Sequence, residues 1–306
     1  MTLAKQERCH EVASVALAAG FRQLAALLRL YPAETELVAG SGLDASRRNA
    51  SAWLARHTLQ PATGVRITRL AQDSCTVYEG SCTQPKTHVL FIHGGGLVYN
   101  STRDYDGVLS YWSAQCALTI TGFDYPKAPE HSFDTIFQHL QIHIARRIAG
   151  LQAAERIILA GDSIGAYIAL ALATTCFPGR FERLVLIYPV LDLWHQRSSY
   201  ALYGSGYFLS AAQMTWYQRL ARTTALNANF EPFSLTLEQR RQLPNIDLYS
   251  AEYDVLRDEA LDWVREAHGL DIRHRHFTRL PHNFCLYAGT QPAAMAGVME
   301  ISRSWI

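Results

Sequence analysis

Two kinds of hydrophobic pattern alternate along this 306-residue chain. The run His88-Val-Leu-Phe-Ile92 is apolar almost without interruption, as a strand is when helices cover both faces of its sheet. Residues 65–70 and 75–78 alternate apolar with polar instead, the pattern of edge strands. Further strand-like runs fall at 118–123, 156–160, 184–188, 246–251 and 272–277. Between most of them apolar residues recur at helical spacing, over 105–115, 133–148, 163–175, 256–268 and 292–304. Strand and helix in alternation predict a mostly parallel sheet with helices on both faces, entered through an antiparallel edge.

Two segments depart from that alternation. Residues 1–60 are helix-rich, with apolar positions at helical intervals over 22–30 and 46–57. They read as an appended helical cap segment before a domain spanning 61–306. Between the sixth and seventh strands, about 194–243, no strand is predicted. This stretch carries Trp194, Tyr200, Tyr203, Tyr207, Phe208, Trp216, Tyr217, Phe230 and Phe233, with Gly204-Ser-Gly206 as punctuation. An insertion there falls at the C-terminal edge of the sheet, where open α/β folds bind ligands. The aromatics are expected to form a cap with the N-terminal helices, or to pack a small core of their own.

Composition narrows the function classes. Lys and Arg number 28 and Asp and Glu 27, a net charge of +1, so there is no basic field for nucleic acid. No apolar stretch is long enough to span a bilayer. The mixed charges of residues 1–10, and no small-residue cleavage site after 12–20, read as an amphipathic helix and not as a signal peptide. The six cysteines have neither C-x-x-C spacing nor the density of a disulfide scaffold, which favours the reducing cytoplasm. Cys75 and Cys82 flank a hairpin that could join them in an oxidising compartment, but packed thiols are the simpler reading. A homodimer is compatible with the sequence and is not specified by it.

The chemistry-bearing motif is Gly161-Asp-Ser-Ile-Gly165, directly after the strand 156–160 and directly before the Ala-rich helix 163–175. That is the layout of a nucleophile elbow with Ser163 at its tip. Glycines on both sides let the strand turn sharply and the helix pass close to it. A serine hydroxyl also needs a base and donors for the oxyanion that forms. His93-Gly-Gly-Gly96 follows the central strand, and consecutive glycines can present backbone N–H groups to an anion. A phosphate loop would carry Gly-Lys-Ser/Thr, whereas this one continues Leu97-Val-Tyr-Asn100, so oxyanion binding is the better reading. The expected donors are the amides of Gly94, Gly95 and Ile164.

Taken together, His93-Gly-Gly-Gly96, Asp124-Tyr-Pro-Lys-Ala-Pro-Glu130, Gly161-Asp-Ser-Ile-Gly165, Tyr188-Pro189, Asp254-Val-Leu-Arg-Asp-Glu259 and His282 resemble the hormone-sensitive-lipase-like group of α/β-hydrolases, which includes bacterial acetyl esterases and short-chain carboxylesterases. The resemblance runs from about residue 85 to the C-terminus. It implies an α/β-hydrolase fold with a mostly parallel eight-stranded sheet and a helical cap. It also implies a serine carboxylic-ester hydrolase acting on small acetyl-to-butyryl esters without metal or organic cofactor. An amidase, formamidase or deacetylase acting on N-acyl aromatics is the alternative enzyme, and a non-catalytic binding protein of the same fold is a further one. Ile164 and Ala166 stand where Ala and Gly are common, and the Ile164 side chain is expected to narrow the pocket beside the serine. Leu97 stands where an aromatic is frequent, which is expected to alter the acyl side. Leu97, Tyr207, Phe208 and Trp216 are the expected pocket residues.

The order serine, acid, histidine is the one this fold uses. His282 lies in a loop after the strand 272–277 and is the expected base. His274 and His276 are rivals, but they share one face of that strand and read as structural. Asp254, at a strand's C-terminal end, is the expected acid. Glu252, two residues earlier, is the competitor turned toward packing, and Asp258 and Glu259 suit a helix's first turn. Asp124, Tyr125 and Glu130 are expected to brace the glycine loop, His93 to fix it, and Asp162 to support the site from behind.

Overall fold

The computed structural model describes residues 42–80, 87–151, 155–222 and 230–305. The helices expected before residue 42, and the Cys82 end of the expected hairpin, lie outside the described residues. Eight strands form one sheet: β1 (Arg66–Leu70), β2 (Cys75–Glu79), β3 (Thr87–Ile92), β4 (Thr119–Phe123), β5 (Arg156–Asp162), β6 (Arg183–Ile187), β7 (Asn245–Tyr253) and β8 (Ile272–Pro281). Their order across the sheet is β1-β2-β4-β3-β5-β6-β7-β8. The β1–β2 and β2–β4 pairs are antiparallel and the rest are parallel.

Alternation within each strand sends side chains into two separate cores. In β3, Val89 and Phe91 point to one face, where α2 (Asp106–Cys116) and α9 (Pro292–Ser302) contribute Trp112, Val298 and Ile301. Leu90 and Ile92 point to the other, against α3 (Phe133–Ala149), α4 (Ile164–Thr175) and α8 (Arg257–Glu266). That double burial is why β3 reads as a continuous apolar run, while the edge strands β1 and β8 keep many exposed positions. On α3, Phe133, Ile136, Phe137, Leu140 and Ile144 are buried at i, i+3, i+4, i+7 and i+11, a single stripe facing the sheet. Ser132 caps that helix, accepting a 3.2 Å bond from the Thr135 amide. In α4 residues 164–174 are all buried, because the helix lies between the sheet and further chain.

The helix α1 (Gly42–Leu54) precedes the sheet. Arg47 ties it down: Nε donates to the Val98 carbonyl at 2.9 Å, and Nη2 donates to the Ala128 carbonyl at 2.9 Å and to Glu130 at 2.8 Å. Between β6 and β7 the described residues form no strand and carry α5 (Ser198–Tyr203), α6 (Ala211–Ala221) and α7 (Leu237–Gln242). A reciprocal capping box between Ser210 and Gln213 starts α6. Two strands outrun their sequence pattern: β5 extends through Asp162 to the serine's doorstep, and β8 extends to Pro281, so His282 directly follows a strand. A register shift between Ala251 and Tyr253 accommodates that extension, with the Arg279 amide donating to Glu252 at 2.6 Å.

Candidate active site

The end of β5 and the start of α4 present Ser163 at φ 54°, ψ −122°, a conformation that costs of order 1–3 kcal/mol for a residue with a side chain. The elbow is held on both sides: the Ser163 amide donates to the Ile187 carbonyl at 2.9 Å, and the Val190 amide donates to the Ser163 carbonyl at 3.2 Å. Close approach explains the flanking glycines. A Cβ on Gly161 would stand 2.5 Å from Gly165 backbone, and one on Gly165 would stand 2.2 Å from the Ile92 carbonyl oxygen.

Three chain segments converge on this serine. His282 Nε2 lies 2.9 Å from Ser163 Oγ, and His282 Nδ1 lies 2.7 Å from Asp254 Oδ2. All three side chains are buried. Asp254 follows β7 directly, and its Oδ1 accepts the Leu256 amide at 2.9 Å, which fixes the carboxylate's rotation and leaves Oδ2 for the imidazole. The rivals are elsewhere. His274 and His276 both bond Ser250 Oγ at 2.8 Å, on the β7–β8 side of the sheet, and burial lowers the pKa of each. Glu252 is spent on the Arg279 amide.

Of the expected backbone donors, Gly95 and Ile164 line the cavity beside Ser163 and Gly94 does not. The Gly94 N–H is directed away, to Asp162 Oδ1 at 2.7 Å. Gly96, absent from the sequence-based set, lines the cavity in its place. Among the described residues no acceptor takes the N–H of Gly95, Gly96 or Ile164. Asp162 is itself fully buried and also accepts Tyr105 Oη at 2.8 Å; burial pushes its pKa up to about 6. His93 and Tyr125 do fix the loop: the Tyr125 hydroxyl donates to the His93 carbonyl at 2.9 Å, and the two rings stack with centroids 4.4 Å apart. Asp124 accepts from the backbone and hydroxyl of Thr102 and lies 3.7 Å from His93 Nε2, and Glu130 serves α1 through Arg47.

The cavity above the serine is about 490 Å³. Leu97, Ile164 and Val190 line it, together with Ser46, Ala50 and Trp53 of α1 and Met214, Trp216 and Tyr217 of α6. Among the expected pocket residues Leu97, Phe208 and Trp216 line it, but Tyr207 does not. Tyr207 stacks on Tyr253 at 5.3 Å between centroids and meets Tyr203 edge-on, so it packs the insertion against the end of β7. Glu259 also departs from expectation. It is fully buried, accepts the Leu191 amide at 2.7 Å, and has a pKa raised well above the usual carboxylate range by burial. It braces the segment after β6, while Asp258 accepts the Ser199 amide at the start of α5.

Among the described residues one mixed group, Asp192, His195 and Glu231, brings three potential ligand atoms within 4.8 Å of one another. Its central carboxylate is already occupied: Oδ1 takes two backbone amides, and Arg197 stands 3.1 Å from Oδ2. No helix among the described residues is long and apolar enough to cross a membrane.

A buried serine at a strained strand–helix turn, a histidine after the last strand and a carboxylate after the one before it define an α/β-hydrolase-type site. The profile of the alpha/beta hydrolase fold family matches residues 89–286. The chain belongs to that family, in its hormone-sensitive-lipase-like branch. It is 30% identical over 209 residues to an ethyl acetate hydrolase of Pseudomonas putida, covering 64% of this chain and 65% of the relative, just under two thirds of its length. It is 28% identical over 220 residues to the esterase LipI of Mycobacterium tuberculosis, covering 67% of this chain and 68% of that one. A solved hyperthermophilic esterase from the archaeon Pyrobaculum calidifontis superposes with a TM-score of 0.77 at 23% identity, over 94% of this chain and 96% of that one, a likeness of fold.

Proposed function

We propose that this chain is a carboxylic-ester hydrolase that uses Ser163, His282 and Asp254 and takes small neutral esters with acetyl to butyryl acyl groups. The observation that carries the reading is the unbroken chain Ser163 Oγ to His282 Nε2 at 2.9 Å and His282 Nδ1 to Asp254 Oδ2 at 2.7 Å. In it, Asp254 holds the imidazole with its proton on Nδ1, leaving the Nε2 lone pair for the serine proton. Ser163 Oγ adds to the ester carbonyl carbon as that proton moves to Nε2. The carbonyl oxygen becomes an oxyanion, for which the free amides of Gly95, Gly96 and Ile164 are the available donors, each worth about 3 kcal/mol in such sites. Collapse expels the alcohol, which takes the proton from Nε2. Water then repeats the sequence on the acyl-enzyme, releasing the acid and restoring the serine.

Substrate neutrality is supported by the lining, where among the described residues no Lys, Arg, Asp or Glu side chain appears. A charged ester would lose its hydration there without a partner. The short acyl limit is supported by Ile164, whose branched side chain stands next to the serine, and by the ethyl acetate hydrolase likeness. A reducing cytoplasmic location is supported by the free thiols of Cys75, Cys116, Cys176 and Cys285 among the described residues. The test is hydrolysis of p-nitrophenyl acetate, butyrate and octanoate, and of p-nitroacetanilide, by wild type and Ser163→Ala. Acetate and butyrate should be cleaved and Ser163→Ala should be inactive. An active Ser163→Ala would overturn the reading, octanoate preference would overturn the acyl limit, and faster anilide turnover would favour an amidase.

A further inference from the structure

Lys127 touches no part of the cavity, yet it closes a chain of contacts that ends on the peptide carrying the Gly95 N–H. Its Nζ lies 2.9 Å from His93 Nε2 and sits over the Tyr125 ring, 3.7 Å from the centroid. On the far side of the imidazole, His93 Nδ1 is 2.6 Å from the Gly94 carbonyl oxygen. A carbonyl can only accept, so Nδ1 carries the proton and donates. The buried ring is held neutral, its pKa lowered well below the ordinary histidine value by burial and then by the Lys127 charge, which leaves Nε2 as a lone pair facing Lys127.

We propose that Lys127 is a positioning residue for the oxyanion loop: as an ammonium it locks His93 in the Nδ1–H tautomer, which holds the Gly94 carbonyl and aims the Gly95 N–H into the cavity. The geometry follows from the peptide unit. Across a trans peptide the carbonyl of one residue and the N–H of the next point in opposite directions. The Gly94 oxygen is turned to His93 Nδ1 and, at 3.3 Å, to the Tyr125 hydroxyl, so the Gly95 N–H faces the opposite way, toward the space it lines beside Ser163. An ammonium has three donors and no acceptor, so it admits only the tautomer with a lone pair at Nε2. A neutral amine could also accept and would tolerate the other tautomer, which sets the Nδ1 lone pair against the Gly94 oxygen.

Burial brings the Lys127 pKa down to about 7, so the lock is itself sensitive to pH. The titratable groups facing it are Asp124 on its own segment and Asp104 before α2, which favour the ammonium, Arg47 of α1, which opposes it, and His139 of α3, whose pKa is lowered by burial and in part by the Lys127 charge. His93 Nε2 also lies 3.7 Å from Asp124. The lock operates below about pH 7 and weakens as pH rises through that value.

The inference rests on the ester-hydrolase reading for its kinetic consequence, and the test separates the two. Rates on p-nitrophenyl acetate are measured from pH 6 to 9 for wild type, Lys127→Met and Lys127→Arg, with circular dichroism to establish folding. Lys127→Met should lose roughly tenfold in kcat with KM within about twofold, a fraction of what deleting a donor outright costs. Lys127→Arg, a donor that does not titrate here, should keep most of kcat and lack the wild-type decline above pH 7. Wild-type kcat in Lys127→Met, or an equal loss in both variants, overturns the proposal. If Lys127→Met does not fold, superimposable pH profiles for wild type and Lys127→Arg overturn it. If wild type cleaves no ester, the hydrolase reading fails, and the 15N spectrum of His93 decides the positioning claim: Nδ1–H in wild type at pH 6 supports it, and Nε2–H overturns it.

Discussion

Asp254→Asn isolates the carboxylate's role with almost no change in shape. The side chain is buried and its two oxygens have distinct partners: Oδ1 accepts the Leu256 amide at 2.9 Å, and Oδ2 meets His282 Nδ1 at 2.7 Å. An asparagine must keep its oxygen toward Leu256, because the amide N–H there can only donate. Its NH2 group then occupies the Oδ2 position and donates to His282 Nδ1. That forces the proton onto Nε2, the atom 2.9 Å from Ser163 Oγ, and removes the base the serine needs. Loss of the correct tautomer in such triads costs about ten-thousandfold in kcat, or about 5 kcal/mol of transition-state stabilisation. Initial rates on p-nitrophenyl acetate at neutral pH, alongside a thermal melt to show an intact fold, measure it. A folded Asp254→Asn protein within tenfold of wild type would refute the tautomer reasoning.

Three further outcomes are expected. Gly165→Ala places a Cβ 2.2 Å from the Ile92 carbonyl oxygen, where backbone must shift on both sides, and should destabilise by about 1–3 kcal/mol; an unchanged denaturation midpoint would contradict that contact. Asp162 should make stability depend on pH in the reverse of the usual carboxylate sense. Its folded pKa is raised to about 6 from 3.8, so between those values the folded state binds more protons than the unfolded one and stability falls as pH rises, by about 2–3 kcal/mol in all. The Tm of Asp162→Asn relative to wild type should therefore climb between pH 4 and 6, and a constant difference would remove Asp162 as the cause. Ser163→Ala should abolish hydrolysis while leaving the elbow's two backbone bonds, so its melting temperature should stay close to or above that of wild type.

Much of the fold was legible because local pattern and final environment agree. The unbroken apolar run of β3 reports burial on both faces, and the stripe on α3 reports burial on one. Ser163 and Asp254 could be picked out because each follows a strand-like run, whereas His282 was found mainly from its place in the motif order, the run before it reading only to 277 while β8 extends to Pro281. What sequence could not reach depends on contacts between distant segments. Gly94 and Gly96 are indistinguishable in a row of three glycines until Asp162, 68 positions away, is seen to take the Gly94 amide. Tyr207 looked like its neighbour Phe208, but Tyr253 claims it for stacking. Glu259 carries the signature of a solvated first-turn acid, and only the packing of α8 against residues 191–192 turns it inward. Lys127 was visible only as one position of the 124–130 motif, with no role attached, since its partner His93 lies 34 positions back.

The most direct measurement is mass spectrometry of the protein after treatment with a fluorophosphonate, with ester hydrolysis followed on the same sample. The phosphorus electrophile samples the same requirements as an ester carbonyl: a nucleophilic Ser163 Oγ, the His282 base 2.9 Å away and donors for the developing oxyanion. One adduct on the peptide carrying Ser163, forming in step with loss of hydrolysis and absent from Ser163→Ala, is the result expected. Hydrolysis that persists in fully labelled protein, or labelling at another residue that accompanies its loss, would contradict the assignment of Ser163.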